Sequence, residues 1–150
     1  MRLHPVLFSA LERIDRDILG GLLGEGRMTF RDLAELVRLS SNAVADRVRS
    51  LERRGVIRGY HADVDLTRLG LTLTALIDVK LGQTMPAAQV EARLAEIPEV
   101  LEVLHVTGAP DYVLRVACAD VAGLDRLIGR LVDEVGVQST DTRVILRTVC

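Results

Sequence analysis

A chain of 150 residues has room for one domain of ordinary size or for two small ones. Apolar residues make up 49% and charged residues 27%, which excludes a disordered chain, and 3% aromatic residues with no Trp leave too few rings to stack bases. The net charge of −2 is unevenly spread: residues 1–60 carry 11 Arg against 8 acidic residues, and residues 61–150 carry 8 basic against 13 acidic ones, a pattern of two tasks in one chain.

No stretch reaches the roughly 20 apolar residues of a membrane span. The opening MRLHPVLFSA runs at once into charged residues, so no cleaved leader is expected either. Cys118 and Cys150 are too few for a disulfide framework and have no metal-ligand spacing. His4, His61 and His105 are scattered. A reduced, cytoplasmic protein without metal or cofactor is expected.

The first helical pattern is LERIDRDILGGLLGEG, with Leu11, Ile14, Ile18 and Leu22 on one face, Leu19 and Leu23 beside them, and Gly24 and Gly26 ending it. MTFRDLAELVRL follows, with Thr29 as N-cap, Asp32 three positions on, and Phe30, Leu33, Ala34 and Val37 as its apolar face. Ser40 and Ser41 offer the next cap, before NAVADRVRSLERR, and Gly55 stops that helix. From Val56 the period becomes two: Val56, Tyr60, Ala62, Val64 and Leu66 alternate with polar residues, as a strand does, and Tyr60 reads as a packing residue. Leu69 and Gly70 mark a bend.

The remainder alternates. Residues 72–82 read as a strand, 86–97 as a helix with Val90, Leu94 and Ile97 on one face, 100–107 and 112–118 as strands about a GAPD turn, 120–135 as a helix with Val121, Leu124, Ile128, Leu131 and Val135 in register, and 137–149 as a last strand. That order is β-α-β-β-α-β, the ferredoxin-like arrangement. The fold class is therefore α+β: a three-helix winged helix-turn-helix over 1–60, a hinge over 61–71 and a ferredoxin-like domain over 72–150. Units of this size bury little surface alone, which points to an obligate dimer.

Two short helices joined by RLSS make a helix-turn-helix, whose second helix reads DNA. At 100° per residue Val44, Val48 and Leu51 cluster on one side, and Asn42, Asp46, Arg49 and Arg53 fall opposite, within reach of a major groove. Ser40 and Ser41 stand at the helix N-terminus, where hydroxyls and free amides favour a phosphate. Arg47 lies at the edge of the packed face, open to phosphate or to an acidic neighbour. The plainer alternative is a solvated helix with i,i+4 ion pairs. Asp46 places a negative charge on the reading face, where it can accept from a cytosine amino group or restrain a neighbouring Arg.

Several separate motifs, in order, resemble the Lrp/AsnC (leucine-responsive, feast/famine) regulators: IDRDIL, then DLAELVRLSSNAVADRVRSLERRGVIRGYHADVD, then IPEVLEVLHVTGAPDYVLRV, then TDTRVILRTV, from about Leu11 onward. The resemblance implies an N-terminal DNA-binding domain, a hinge strand after Gly55, and a second domain that dimerises and senses a ligand. It implies dimers that assemble to tetramers or octamers, an amino acid or related metabolite as effector, and double-stranded DNA with a roughly palindromic site as partner. The chain departs from the family pattern at Asp46, a position often basic or polar, and at Ser41, where Pro is common.

The turn TGAPDY is the expected effector site. Gly108 can take a positive φ and, with Ala109, leave amides free for a carboxylate. Asp111, beside Tyr112, can receive an ammonium. Thr140 and Thr142, in the polar STDT segment, can complete the site with their hydroxyls. The same residues also make a sound hairpin turn, with Asp111 closing on backbone amides. In the family this turn lies at contacts between dimers, so ligand binding can bias assembly. His105 reads as a core or interface residue, and Cys118 as a small core residue.

Two other classes are weighed. An architectural DNA-binding protein would share the N-terminal part and lack an effector. The siroheme decarboxylases, enzymes similar in both parts, need His and Arg around a tetrapyrrole, and here three His stand apart. No nucleophile triad, carboxylate pair or phosphate loop is present in the sequence, so no catalytic residue is expected.

Overall fold

A computed structural model describes residues 10–82 and 85–148. The expectation of no cleaved leader rests on residues 1–9, which with His4 and Cys150 lie outside the described residues; the strand expected over 137–149 ends at Val144, and residues 145–148 run without secondary structure. The chain separates into two compact units, one ending at Asp63 and the other beginning at Val64.

The first unit holds α1 (Arg13–Gly24), α2 (Phe30–Val37) and α3 (Ser41–Arg53). Ile18 and Leu19 from α1, Leu33 and Ala34 from α2, and Val44, Val48 and Leu51 from α3 form one buried cluster, so the 3.6-residue period places each helix as expected. Phe30 departs from it: at the first position of α2 it is largely exposed. Thr29 caps α2 in a reciprocal box, accepting from the Asp32 amide while Asp32 Oδ2 accepts from the Thr29 amide, both at 3.2 Å. The Thr29 hydroxyl, and then its amide, hold the Asp32 carboxyl below its usual range. A carboxyl so depressed stabilises the fold above its unfolded pKa and stops doing so as pH falls through the lower folded value. Acid titration of Thr29→Val is therefore expected to lose less stability below pH ~4 than the unaltered chain does, read by circular dichroism.

Arg38 ends α2 in the left-handed region, φ 57°, and the Leu39 amide turns back to the Ala34 carbonyl at 3.1 Å. The expected strand after Gly55 is not formed within the described residues. Gly55 takes φ 69°, and the Val56 and Ile57 amides close on the Leu51 carbonyl at 2.9 and 3.2 Å, so they finish α3 rather than open a ladder. Residues 58–65 run without secondary structure. Alternation alone does not make a strand, which needs a neighbour to take its amides and carbonyls. Tyr60, expected to pack, is half exposed and donates its hydroxyl to Glu52 at 3.0 Å.

In the second unit a short 3₁₀ turn (Leu66–Leu69), capped by Asp65, leads into β1 (Leu73–Leu81), α4 (Ala87–Ala95), β2 (Val100–His105), β3 (Tyr112–Cys118), α5 (Val121–Val135) and β4 (Val137–Val144). All pairings are antiparallel in the order β2-β3-β1-β4, the ferredoxin-like topology. Ala75, Ile77 and Val79 face Val116, Leu114 and Tyr112 in β3, and this side of the sheet packs on Val90 and Leu94 of α4 and Leu124, Leu127 and Leu131 of α5. Cys118 is a buried core residue, as expected. Val121, expected in the apolar face of α5, is mostly exposed in its first turn, and Leu127 takes the buried place instead.

Candidate DNA-reading helix and effector turn

α3 starts at a cap. The Ser40 hydroxyl accepts from the Ala43 amide at 3.2 Å, which fixes where the helix begins and leaves Ser41 as its first residue. Ser40→Ala is expected to cost about 1 kcal/mol of stability, read as a lowered melting temperature. The apolar side of α3, Val44, Ala45, Val48 and Leu51, is buried. Ser41, Asn42, Asp46, Arg49 and Arg53 are exposed. Within that set Arg49 Nη1 binds Asp46 Oδ1 at 2.9 Å, so Asp46 restrains a neighbouring Arg.

Arg47 takes the second of its two expected alternatives. Its Nη1 donates to Asp15 Oδ1 at 2.7 Å and to Glu12 Oε2 at 3.0 Å, both from the α1 end of the unit. Those hydrogen bonds, Asp15 first, raise its already high pKa. The side chain faces α1. The sequence reading passed over Asp15. Its position between Leu11 and Ile18–Leu19 on the apolar arc is a usable signal, because a carboxylate there needs a cation.

In the second unit, Gly108 takes φ 87° and the Ala109–Pro110 peptide is cis. The β1–β3 ladder ends at Val79 opposite Tyr112, and Asp111 extends it. The Asp111 amide donates to the Val79 carbonyl at 3.0 Å, and Asp111 Oδ2 accepts from the Leu81 amide at 2.8 Å. Asp111 thus closes on a backbone amide of β1 rather than of its own turn, and its other oxygen has no hydrogen-bond partner among the described residues. Tyr112 is buried; its hydroxyl donates to Glu91 at 3.0 Å, and His105 stacks on its ring at 4.6 Å. Burial, then the Glu91 carboxylate, raises the Tyr112 pKa. His105 is exposed along its side chain, which excludes the core alternative expected for it.

An open concavity beside the turn is lined by Leu81, Gly82, Met85, Ala87, His105, Asp111 and Tyr112. Thr140 and Thr142 do not line it. They sit on β4 opposite Val79 and Ile77, with β1 between them and the turn, about 10 Å or two strand spacings away. Among the described residues no group of three or more His, Cys, Asp or Glu could hold a metal ion, and no helix is long and apolar enough to cross a membrane.

Residues 11–58 match the winged helix-turn-helix DNA-binding family model, and residues 74–150 match the Lrp/AsnC ligand binding domain. The chain belongs to the Lrp/AsnC family. Like its relatives it is a DNA-binding transcriptional regulator. It is 34% identical over 142 residues to the proline dehydrogenase transcriptional activator of Rhodobacter capsulatus, covering 93% of this chain and 92% of that protein. It is 36% identical over 139 residues to the regulator LrpA of Mycobacterium tuberculosis, with the same coverage. Among solved structures, a feast or famine regulatory protein of M. tuberculosis complexed with L-methionine superposes with a TM-score of 0.86 at 36% identity, covering 92% of this chain and 93% of that one. A Neisseria meningitidis regulator in an L-methionine complex superposes equally well, TM-score 0.86 at 30% identity, covering 93% and 92%. This Lrp/AsnC chain therefore carries both of the family's parts, with α3 in the first and the turn at Gly108–Tyr112 in the second.

Proposed function

We propose that this regulator binds a roughly palindromic duplex as a homodimer or a larger even assembly, with α3 in the major groove, and that a free amino acid or close metabolite modulates it from the Gly108–Tyr112 turn. The observation that carries the DNA part is the division of α3. Its apolar side is buried while Asn42, Arg49 and Arg53 stand exposed on a helix whose start is capped by Ser40. Asn and Arg are the side chains that recognise adenine and guanine edges bidentately. Ser40 and Ser41 place hydroxyls and amides for a phosphate. The protein acts by binding rather than by catalysis, and in the cytoplasm, as regulators of transcription in bacteria do.

For the effector, Asp111 and Tyr112 border an open concavity at the end of the turn that holds Gly108 and Ala109, and two family members of the same fold are solved with L-methionine. An α-amino acid needs an acceptor for its ammonium and donors for its carboxylate, and the turn offers Asp111 and exposed backbone. Thr140 and Thr142 stand on the far side of β1, which centres the proposal on the turn.

Gel shift on the upstream DNA at two salt concentrations, with excess competitor, tests the first part, and light scattering gives the assembly. A specific, salt-sensitive complex of an even oligomer is expected; no complex at low salt, or a monomer, removes the proposal. Thermal shift against the amino acids tests the second part, since a ligand of the folded state raises the melting temperature. Asp111→Asn separates its two roles. The amide oxygen can still accept from the Leu81 amide, so the turn persists, but the charge that meets an ammonium is gone. Effector affinity is expected to fall by about 1.5–3 kcal/mol with little change in melting temperature, measured by calorimetry. Loss of stability with unchanged affinity would leave Asp111 only its structural part.

A further inference from the structure

Asp15 is the only charged residue in either hydrophobic core among the described residues, at 6% exposure. Its two carboxylate oxygens part company. Oδ1 meets Arg47 Nη1 at 2.7 Å, and Oδ2 faces Arg54 Nη1 at 3.8 Å. Arg47 lies in α3 and Arg54 caps its C-terminus, seven positions or about two turns further on, about 10.5 Å along the axis. One carboxylate on α1 therefore grips α3 at two heights. Glu12 Oε2, at 3.0 Å from Arg47 Nη1, adds a third point.

The contacts of α3 with the buried faces of α1 and α2 are otherwise apolar, through Val44, Val48 and Leu51. Such packing is non-directional and leaves a helix some freedom to roll and slide. The hydrogen-bonded Arg47–Asp15 pair is directional and, with the Arg54 charge beside the second oxygen, restrains both motions. Base recognition needs that: a bidentate Arg or Asn contact depends on placement within a fraction of an ångström. We infer that Asp15 is a positioning residue for DNA reading, which sets the rotation of α3 through Arg47 and Arg54, and that Arg47 serves this clamp and not a phosphate. The inference rests on α3 being the helix that reads DNA.

The clamp and a phosphate contact differ in salt dependence. A cation that neutralises a phosphate releases a counterion, so its loss lowers the slope of log affinity against log salt by about 1. Arg47 is already neutralised by Asp15 and Glu12, and its loss leaves the slope alone. The test uses the full chain, a duplex selected by it from a random pool, and a scrambled duplex of the same length. Dissociation constants are measured across a salt series at equal folded fraction, set by circular dichroism. Asp15→Asn and Arg47→Ala are each expected to weaken the selected duplex about tenfold and the scrambled one far less, with the slope unchanged. The double variant binds no more weakly than either single one, because both act through one clamp. Should Asp15→Asn fold poorly, Arg54→Ala, at the surface end of the same carboxylate, is expected to lower selectivity in the same direction by a smaller factor.

A slope lowered by about 1 in Arg47→Ala, with both duplexes weakened alike, makes Arg47 a phosphate contact and overturns the inference. Selectivity equal to that of the unaltered chain once folded fractions are matched also overturns it, leaving Asp15 a part in stability alone. Arg49→Ala is run beside them. If it too leaves the selected duplex bound as before, the reader-helix assignment itself has failed and takes the inference down with it.

Discussion

Leu51→Ala is expected to destabilise the DNA-binding unit by about 2–5 kcal/mol. Leu51 is fully buried where α3 meets α1 and α2, and its backbone carbonyl receives the amides of both Val56 and Ile57. Truncation removes the side chain and leaves a cavity that three short helices cannot close. A unit of this size holds only about 3–8 kcal/mol in total. One substitution therefore brings it near the midpoint of unfolding at growth temperature. Hydrogen exchange is the measurement: amides in α1, α2 and α3 are expected to lose protection, and those in β1 and β3 to keep it. Unchanged exchange in α1–α3 would mean that the helices are held by something other than this core.

Arg49→Ala and Asp46→Ala are expected to act in opposite directions on DNA affinity. Arg49 is exposed, on the side of α3 away from the core, and it has the planar fork that matches a guanine edge. Its loss is expected to cost about 1–3 kcal/mol on the selected duplex and to relax specificity at one base pair. Asp46 holds that guanidinium at 2.9 Å and adds a negative charge to the reading face. Its removal releases Arg49 and lessens repulsion from phosphates. Exposed pairs of this kind are weak, so binding is expected to tighten by about 0.2–1 kcal/mol. Titrations of both variants against duplexes substituted at each position check the pair. A uniform loss for every duplex would make Arg49 a phosphate contact. Weaker binding in Asp46→Ala would mean that the carboxylate itself accepts from a base.

Where a residue's task is to be buried at a regular interval, the sequence shows it plainly. Ile18, Leu33, Val44, Val48 and Leu51 in the first unit, and Val90, Leu94, Leu124 and Leu131 in the second, stand at helical spacing and are buried. The strand over 112–118 has its predicted ends because alternation, a preceding turn and a following cap coincide there. Pairing across long separations is another matter. Arg47 lies 32 residues from Asp15, and Leu81 lies 30 from Asp111, and no local pattern links either pair. The segment after Gly55 misled for a related reason. Alternating residues announce a strand, but the amides of Val56 and Ile57 were already committed to Leu51. Thr140 and Thr142 were grouped with the turn by their polarity, and strand order, which sequence does not display, put β1 between them.

The strand order has a consequence for how the chain is made. β1 is a central strand, and both of its neighbours, β3 and β4, follow it in the chain; Ala75 finds its partners at Val116 and at Val144. The helices of the first unit contact one another over short separations and can fold as they leave the ribosome. β1 emerges next, rich in Leu, Ile and Val, with neither flanking strand yet synthesised. Until β3 is made, roughly forty residues later and several seconds at ordinary rates of about 5–20 per second, both of its edges are an open template for any other strand, and one edge stays open until β4 follows. Crowded synthesis of this protein thus carries its main hazard in one nine-residue segment, and a polysome bearing neighbouring nascent copies is where that hazard is greatest.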